Sequence, residues 1–294
     1  MKQILFVLVL ALAVSCQKSK ENTENQEESD STSAAFTNER NAFFSNLMAP
    51  AEAAAQLQAT GADFNKSLMS DPKAFSKHTG DSVKAAANLG IYLSDLNYSI
   101  AYKQSNAGKE YFTAAHELSK SIGGENATLE FLMKRYNDNL QHNDSAKSVV
   151  TDLLEESTLD LQGTEREKLA GIAMSAYQIE NLHLALGQIQ SYPKDMLPSD
   201  ARAVILIPLF KMVLDQRSNV ENIYNFLKSY SNTEAAKNPN YAYHINALEE
   251  LIALYTKLDV DEKIANNQGM ELMNDSVVKE MIDKVDAIRN KIIS

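Results

Sequence analysis

From Phe43 to Ser294 the apolar side chains recur at three- and four-residue intervals, with no alternating run of six or more residues among them. That period suits helices and leaves no place for a half-buried strand, which needs a period of two. The punctuation agrees. There are 10 glycines and 6 prolines in 294 residues, about half of the roughly 12% that ordinary chains carry, so turns are few and the elements between them long. The expected fold class is all-α, an array or bundle of about ten antiparallel helices with helix-hairpin packing.

The caps place these helices. Pro50 opens the first, with Glu52 close behind it, and Gly61 ends it. A second covers Asp63 to Met69 and stops at Ser70-Asp71-Pro72. Gly80-Asp81 caps a long helix from Ser82 to Gln104, and Ser105 to Ser121 follows, ended by Gly123-Gly124. Glu125 to His142 and Asp144 to Leu161 form a pair. Then come Glu165 to Gln190, Ala201 to Gln216, Asn219 to Tyr230, Tyr241 to Leu258 and Asp275 to Ile293. The window Ala203 to Phe210 is hydrophobic on every side, which predicts a central helix covered by its neighbours. Arg202 and Lys211 confine that run well short of the about 20 residues a membrane span needs. A helical body from residue 41 to 294 is near the upper size for one core; no linker divides it, and two sub-bundles would part near Gly163. One hairpin, Ile91 to Ser119, resembles a degenerate tetratricopeptide unit: Ile91, Tyr98, Ala107, Tyr111 and Ala114 occupy its apolar, Tyr, Ala, aromatic and Ala positions. Ser94 and Asp95 stand where that motif has Leu and Gly, and there is no second copy.

The first forty residues have a different character. Lys2 precedes a run without a polar side chain, Ile4 to Val14, and Ser15-Cys16 precedes the polar Gln17-Lys18-Ser19-Lys20. A basic start, a short apolar run and a small residue before the break predict a secretory signal over residues 1–15. Ala13-Val14-Ser15-Cys16 resembles the lipobox of bacterial lipoproteins, with Leu12 one place further back than the leucine usual in that family. The resemblance implies that Cys16 carries a thioether-linked diacylglycerol, that the chain is cut before it, and that the new amino terminus takes an acyl chain such as palmitate. Two or three buried acyl chains hold a protein where one does not. From Gln17 to Ser33 there is no hydrophobic residue, while Glu21, Glu24, Glu27, Glu28 and Asp30 are acidic. Such a stretch cannot offset its ordering entropy by burial. Residues 16–40 are therefore expected to be the lipidated cysteine and a disordered acidic tether, with a span on the order of 25–30 Å. Acidic stretches after the lipid cysteine also resemble surface-export signals of Bacteroidetes lipoproteins, here interrupted by Lys18 and Lys20.

The search for chemistry excludes more than it finds. A single cysteine and 5 histidines cannot build a disulfide framework or a four-thiolate zinc site, and the net charge of −11 has the wrong sign for neutralising phosphates. Neither a metal, a cofactor nor a nucleic-acid partner is expected. Dinucleotide, phosphate-loop, zinc-protease and nucleophile-elbow motifs are all missing from the sequence. Ser70-Asp71-Pro72-Lys73 and Ser191-Tyr192-Pro193-Lys194 read S-x-x-K without the companion motifs of penicillin-binding enzymes, and Asp259-Val260-Asp261-Glu262 lacks the glycine and glutamate of a calcium loop. No catalytic residue is assigned.

Polar residues on apolar helical faces are more informative. Ile91, Asp95, Tyr98 and Tyr102 lie at i, i+4, i+7 and i+11, which puts a carboxylate among aromatic rings. Ile172, Ala176, Ile179, His183 and Leu186 share another stripe, with Glu180 beside it. A buried acid needs partners. Two readings follow: a polar pocket of Asp95, Tyr98, Tyr102, Glu180 and His183 that holds a cation or small amine, or internal hydrogen bonds that set helix register.

The run Lys84-Ala85-Ala86-Ala87-Asn88-Leu89-Gly90-Ile91-Tyr92-Leu93-Ser94-Asp95-Leu96-Asn97-Tyr98, with Tyr102 after it and Ala49-Pro50-Ala51-Glu52 before it, resembles uncharacterised all-helical lipoproteins of Bacteroidetes. The likeness is clearest over residues 47–122. Ser175-Ala176-Tyr177-Gln178-Ile179-Glu180 keeps the Ile-Glu step of a Gly-Gly-Trp-Ile-Glu-like segment and lacks its tryptophan. The resemblance implies an address and a fold, and no activity. The sequence thus leads to a non-enzymatic, lipid-anchored helical module of the cell envelope, at the outer membrane, that binds protein or peptide. The alternative is a small-ligand binder using the polar pocket.

Overall fold

Alanine, glycine and serine are spread round two of the longest helices, and those two form the centre of the molecule. The computed structural model describes residues 53–124, 134, 135, 138, 166–191, 199–231, 237–258 and 276–294. Among them are eight α-helices and no strand: α1 Ala53–Ala59, α2 Ser82–Ala101, α3 Ser105–Ser121, α4 Glu167–Ser191, α5 Ser199–Asp215, α6 Arg217–Ser229, α7 Pro239–Leu258 and α8 Ser276–Ile292. The protein is all-α, as its period requires. The chain divides into two units, Met1–Asn38 and Glu39–Ser294. The described residues all fall in the second. The predicted signal peptide, Cys16, the tether, the helix over 125–142 apart from the helical residues 134, 135 and 138, the helix over 144–161, Gly163, Lys194 and the turn at Asp259 lie outside the described residues.

The central pair is α2 and α4, which pack on each other more extensively than any other two elements. Asp81 starts α2 by accepting from the backbone of Val83 at 2.8 Å and Lys84 at 3.0 Å. Every residue from Ala85 to Ala101 is buried, as is every residue from Leu169 to Leu182. The approach is close enough to need glycine. A Cβ at Gly90 would lie 2.0 Å from the carbonyl oxygen of Ala173 and 2.8 Å from the nitrogen of Tyr177. Around this pair α3 folds back on α2 after a connection in which Lys103 takes a left-handed φ of 60°, so the hairpin expected over Ile91 to Ser119 is present. Helices α5, α6 and α8 pack on α4, and α7 bridges α6 and α8. Because α2 and α4 lie on opposite sides of residue 163 and share the interior, the sequence position near Gly163 does not separate two cores.

Two sequence expectations are corrected. The apolar window in α5 does not form the central helix: Ile207 is 42% exposed and Pro208 and Lys211 face outward, while Leu206, Leu209, Phe210 and Val213 point inward. Large branched side chains hold neighbouring helices apart, whereas the small residues of α2 and α4 let two backbones meet and be surrounded. The second correction concerns Asp63 to Met69, which is not an α-helix. It contains one 3-10 turn, Lys66–Leu68, between extended residues, and a further 3-10 stretch follows at Pro72–Lys77. Asn65 and Asp71 cap these turns through their side chains, accepting from Ser67 and Lys73. Beyond the 3-10 bonds, such as Met69 N to the Lys66 carbonyl at 3.2 Å, the main chain there bonds to side chains of the helical body.

Gly90→Ala tests the central contact. Because backbone atoms stand in the way, the expected loss lies at or above the top of the 1–3 kcal/mol typical of overpacking, about 3 kcal/mol. A urea titration of the variant beside the parent measures it, and an unchanged midpoint would show that the helices can part without loss.

Candidate functional site

The segment between α1 and α2 lies along the helical body with Ser70 buried and Phe64, Asn65, Leu68 and Met69 half-buried, and its inward-facing peptide groups need partners there. Side chains from four helices supply them. On α2, Tyr98 Oη accepts from the backbone of Asn65 at 2.8 Å, and Tyr92 Oη donates to the carbonyl of Asp71 at 3.1 Å. Asp95 Oδ2 accepts from the Ser70 backbone at 3.0 Å and from the Ser70 hydroxyl. From α3, Tyr111 Oη donates to the Ser70 carbonyl at 2.6 Å. From α4, Gln188 Nε2 donates to the Asp63 carbonyl and to Tyr98 Oη, both at 2.8 Å. Two groups converge on the Leu68 carbonyl, His183 Nε2 at 3.0 Å and Arg289 Nη2 of α8 at 3.2 Å. Phe64 of the same segment stacks on Tyr98 at 5.2 Å and tilts against Tyr102 at 5.8 Å.

The candidate residues named from sequence therefore meet in one region, around residues 63–71. Asp95, Tyr98, Glu180 and His183 all act on this segment or on the arginine that holds it. Tyr102 contributes its ring, and its buried hydroxyl has no hydrogen-bond partner among the described residues. Glu180, fully buried, receives Arg289 in a bidentate pair at 2.9 and 3.1 Å. His183 Nδ1 faces Asp286 at 2.7 Å. Ser70, the start of one S-x-x-K match, spends its hydroxyl on Asp95.

The charges do not balance within this group. Asp95 and Glu180 share one guanidinium, and Asp95 Oδ1 is buried without a partner among the described residues. Burial pushes the Asp95 carboxyl well above the ordinary carboxylate range, and the neighbouring Glu180 charge pushes the same way; Ser70 and Arg289 oppose them. Glu180 is the acid that Arg289 neutralises. Among the described residues no group of three or more His, Cys, Asp or Glu side chains could hold a metal ion. No described helix is long and apolar enough to cross a membrane. What the arrangement does chemically is bind peptide groups.

Sequence reasoning missed Ser70, Tyr111, Gln188 and Arg289. A signal existed for Arg289: it stands four, seven and eleven residues after Val285, Ile282 and Val278, all buried on the inner face of α8. A cation on such a stripe requires a buried acid. No comparable signal marks Ser70, whose partners are an aspartate on α2 and a tyrosine on α3.

No protein-family model, curated protein or solved structure matches this chain.

Two substitutions separate the roles of the acids. Glu180→Gln leaves the Arg289 guanidinium buried without its counter-charge, and the expected cost is about 3–5 kcal/mol, read as a fall in Tm together with new protease cleavage within residues 63–71. Asp95→Asn keeps an acceptor for Ser70 and removes the surplus acid, so Tm at pH 7 should rise.

The same variant should change the pH dependence. Burial pulls the His244 imidazole from 6.5 down to about 4, so its contribution is complete above pH 6.5 and is lost as pH falls towards 4, by about 3 kcal/mol. His78, also lowered by burial and by Lys84 and Lys77, acts in the same direction. Asp95 acts oppositely: its raised folded pKa contributes stability below the ordinary value of 3.8 that is lost as pH rises. Removing it should steepen the loss of Tm between pH 6.5 and 4, and an unchanged slope would place the proton elsewhere.

Proposed function

We propose that this chain is a lipid-anchored helical protein of the cell envelope, held at the outer membrane through Cys16, whose helical body binds a protein or peptide without catalysing a reaction. One observation carries the binding reading. The helical framework grips an extended stretch of chain through its main-chain carbonyls and amides, with Tyr98, Tyr111, Gln188, His183 and Arg289 supplying the groups. Contacts to peptide groups are tolerant of sequence, which is the chemistry needed to hold a peptide. The reading as a small-ligand binder draws support from the unpartnered Asp95 Oδ1 and Tyr102 Oη. It is the weaker of the two, because the other polar atoms of that group are engaged by residues 63–71. The anchor rests on the order of basic, apolar, small and polar residues that ends at Cys16 and on the stable hold that several acyl chains provide.

Fractionation of a bacterial host tests the anchor. Cys16→Ala should move the protein from the membrane to the soluble envelope fraction, and retention in the membrane would overturn the lipid attachment. Crosslinking in intact cells, followed by capture of the full-length protein, tests the binding role. A partner recovered well above the level seen with the Cys16→Ala variant is expected, and repeated recovery of nothing beyond that level would overturn it.

A further inference from the structure

Residues 63–71 are held on the helical body more by polar contacts than by burial. Only Ser70 among them is buried; Asp63, Lys66, Ser67 and Asp71 are exposed and the other four half-buried. The ends are free to turn. Gly61 takes a left-handed φ of +82°, and Gly80 precedes the Asp81 cap of α2; both are exposed, and no described atom lies within 4 Å of where a Cβ would stand on either. A segment with little buried apolar area and a glycine beyond each end opens at a lower free energy than the helices beneath it.

The helical body nevertheless reads particular side chains of this segment. Phe64 stacks on the Tyr98 ring at 5.2 Å. Leu68 sits against Gly187 of α4, where a Cβ would come within 2.5 Å of Leu68 Cδ2, so the glycine leaves the notch that the leucine fills. Ser70 gives its hydroxyl to Asp95 Oδ2, the same atom that accepts from its backbone N–H at 3.0 Å. Between these points the main chain is held without regard to sequence, through Asn65, Leu68 and Ser70. The features read are an aromatic residue, a leucine four places on and a serine two places further, on an extended backbone that turns once at Lys66–Leu68. Every group that reads them belongs to a helix and stays on that helix when the segment lifts. Asp95 Oδ1, fully buried and without a partner among the described residues, is an acceptor that the segment leaves unused.

We propose that residues 63–71 are a built-in competitor, and that the partner of this protein is a peptide with the same pattern, aromatic-x-x-x-Leu-x-Ser, which binds by displacing them. The proposal rests on the peptide-binding reading above and gives its partner a chemistry. A tethered segment competes at an effective concentration on the order of mM. The parent therefore binds a free peptide with its intrinsic affinity reduced by the fraction of chains in which the segment has lifted, and a ligand that also donates to Asp95 Oδ1 gains over the tethered copy.

Fluorescence anisotropy of a labelled peptide with the sequence Asp63 to Asp71, titrated with the full-length protein, tests the exchange. The double variant Phe64→Ala, Leu68→Ala weakens the competitor and leaves every group of the helical body intact, so it should bind the peptide about tenfold tighter than the parent. A peptide with alanine in place of its leucine should bind that variant about tenfold more weakly than the unaltered peptide. Equal affinity of parent and variant, or equal binding of a scrambled peptide, would overturn the proposal. The parent gives a second reading that does not depend on the variant's folding. With peptide on the order of mM, hydrogen exchange followed by mass spectrometry should quicken within residues 63–71 of the chain, and unchanged exchange there would overturn displacement. Crosslinking in cells separates this proposal from the binding role itself: a partner recovered equally by parent and double variant, with no peptide bound in solution, would overturn the exchange and leave the binding role to another surface. Peptide exchange in solution with no partner recovered in cells would uphold the exchange and overturn the role.

Discussion

The close approach of α2 and α4 at Gly90 governs the rest of the molecule. A helix pair that meets backbone to backbone has little room for large side chains between its axes, so both helices carry Ala, Gly and Ser on the shared face and are then enclosed by the others. Enclosure buries whatever polar groups they hold. Asn97 reaches Tyr177 at 3.1 Å, and Ser94 reaches Asn181 at 2.8 Å, across that interface. The apolar interior of this protein therefore holds a polar network, and most of its members act on atoms far away in sequence.

That network explains why a segment with only a few 3-10 bonds of its own can lie against the protein without forming an α-helix. Each main-chain group from Asp63 to Asp71 that meets a buried side chain exchanges a lost water contact for a hydrogen bond worth about 1 kcal/mol net, and avoids the larger cost of being left unmade. The Glu180 and Arg289 pair anchors the arrangement, because it carries charge into the core and spends a further N–H of the guanidinium on Leu68. Asp95 is the member that fits least well, with one oxygen occupied and the other orphaned. A buried surplus acid of this kind is a cost that the surrounding contacts offset.

Much of this was legible from sequence, and the limits have a physical cause. The stripe of Ile91, Asp95, Tyr98 and Tyr102 on one helix, and of Ile179, Glu180 and His183 on another, marks a buried polar group, and these residues do meet. Both readings drawn from them, a ligand pocket and internal bonds, left out the occupant actually present, a piece of the same chain. The segment Asp63 to Met69 looked helical because its composition is compatible with a helix. Its conformation is set by Asp95, Tyr98, Gln188 and Arg289, between 25 and 221 residues away in the pairs with Ser70 and Leu68. The apolar window of α5 misled for a related reason: hydrophobicity reports that a helix must be covered somewhere, whereas side-chain size decides which pair of helices can share the closest contact.

The sequence by itself determined the helical class, the cap at Asp81 and the helical faces that face inward, because period and capping are local properties read within a few residues. Only the tertiary structure decided that α2 and α4 are central, that Asp95 binds Ser70 and that Arg289 closes on Glu180. Those outcomes depend on which helices become neighbours, and a one-dimensional pattern records that a face is buried without recording what it is buried against.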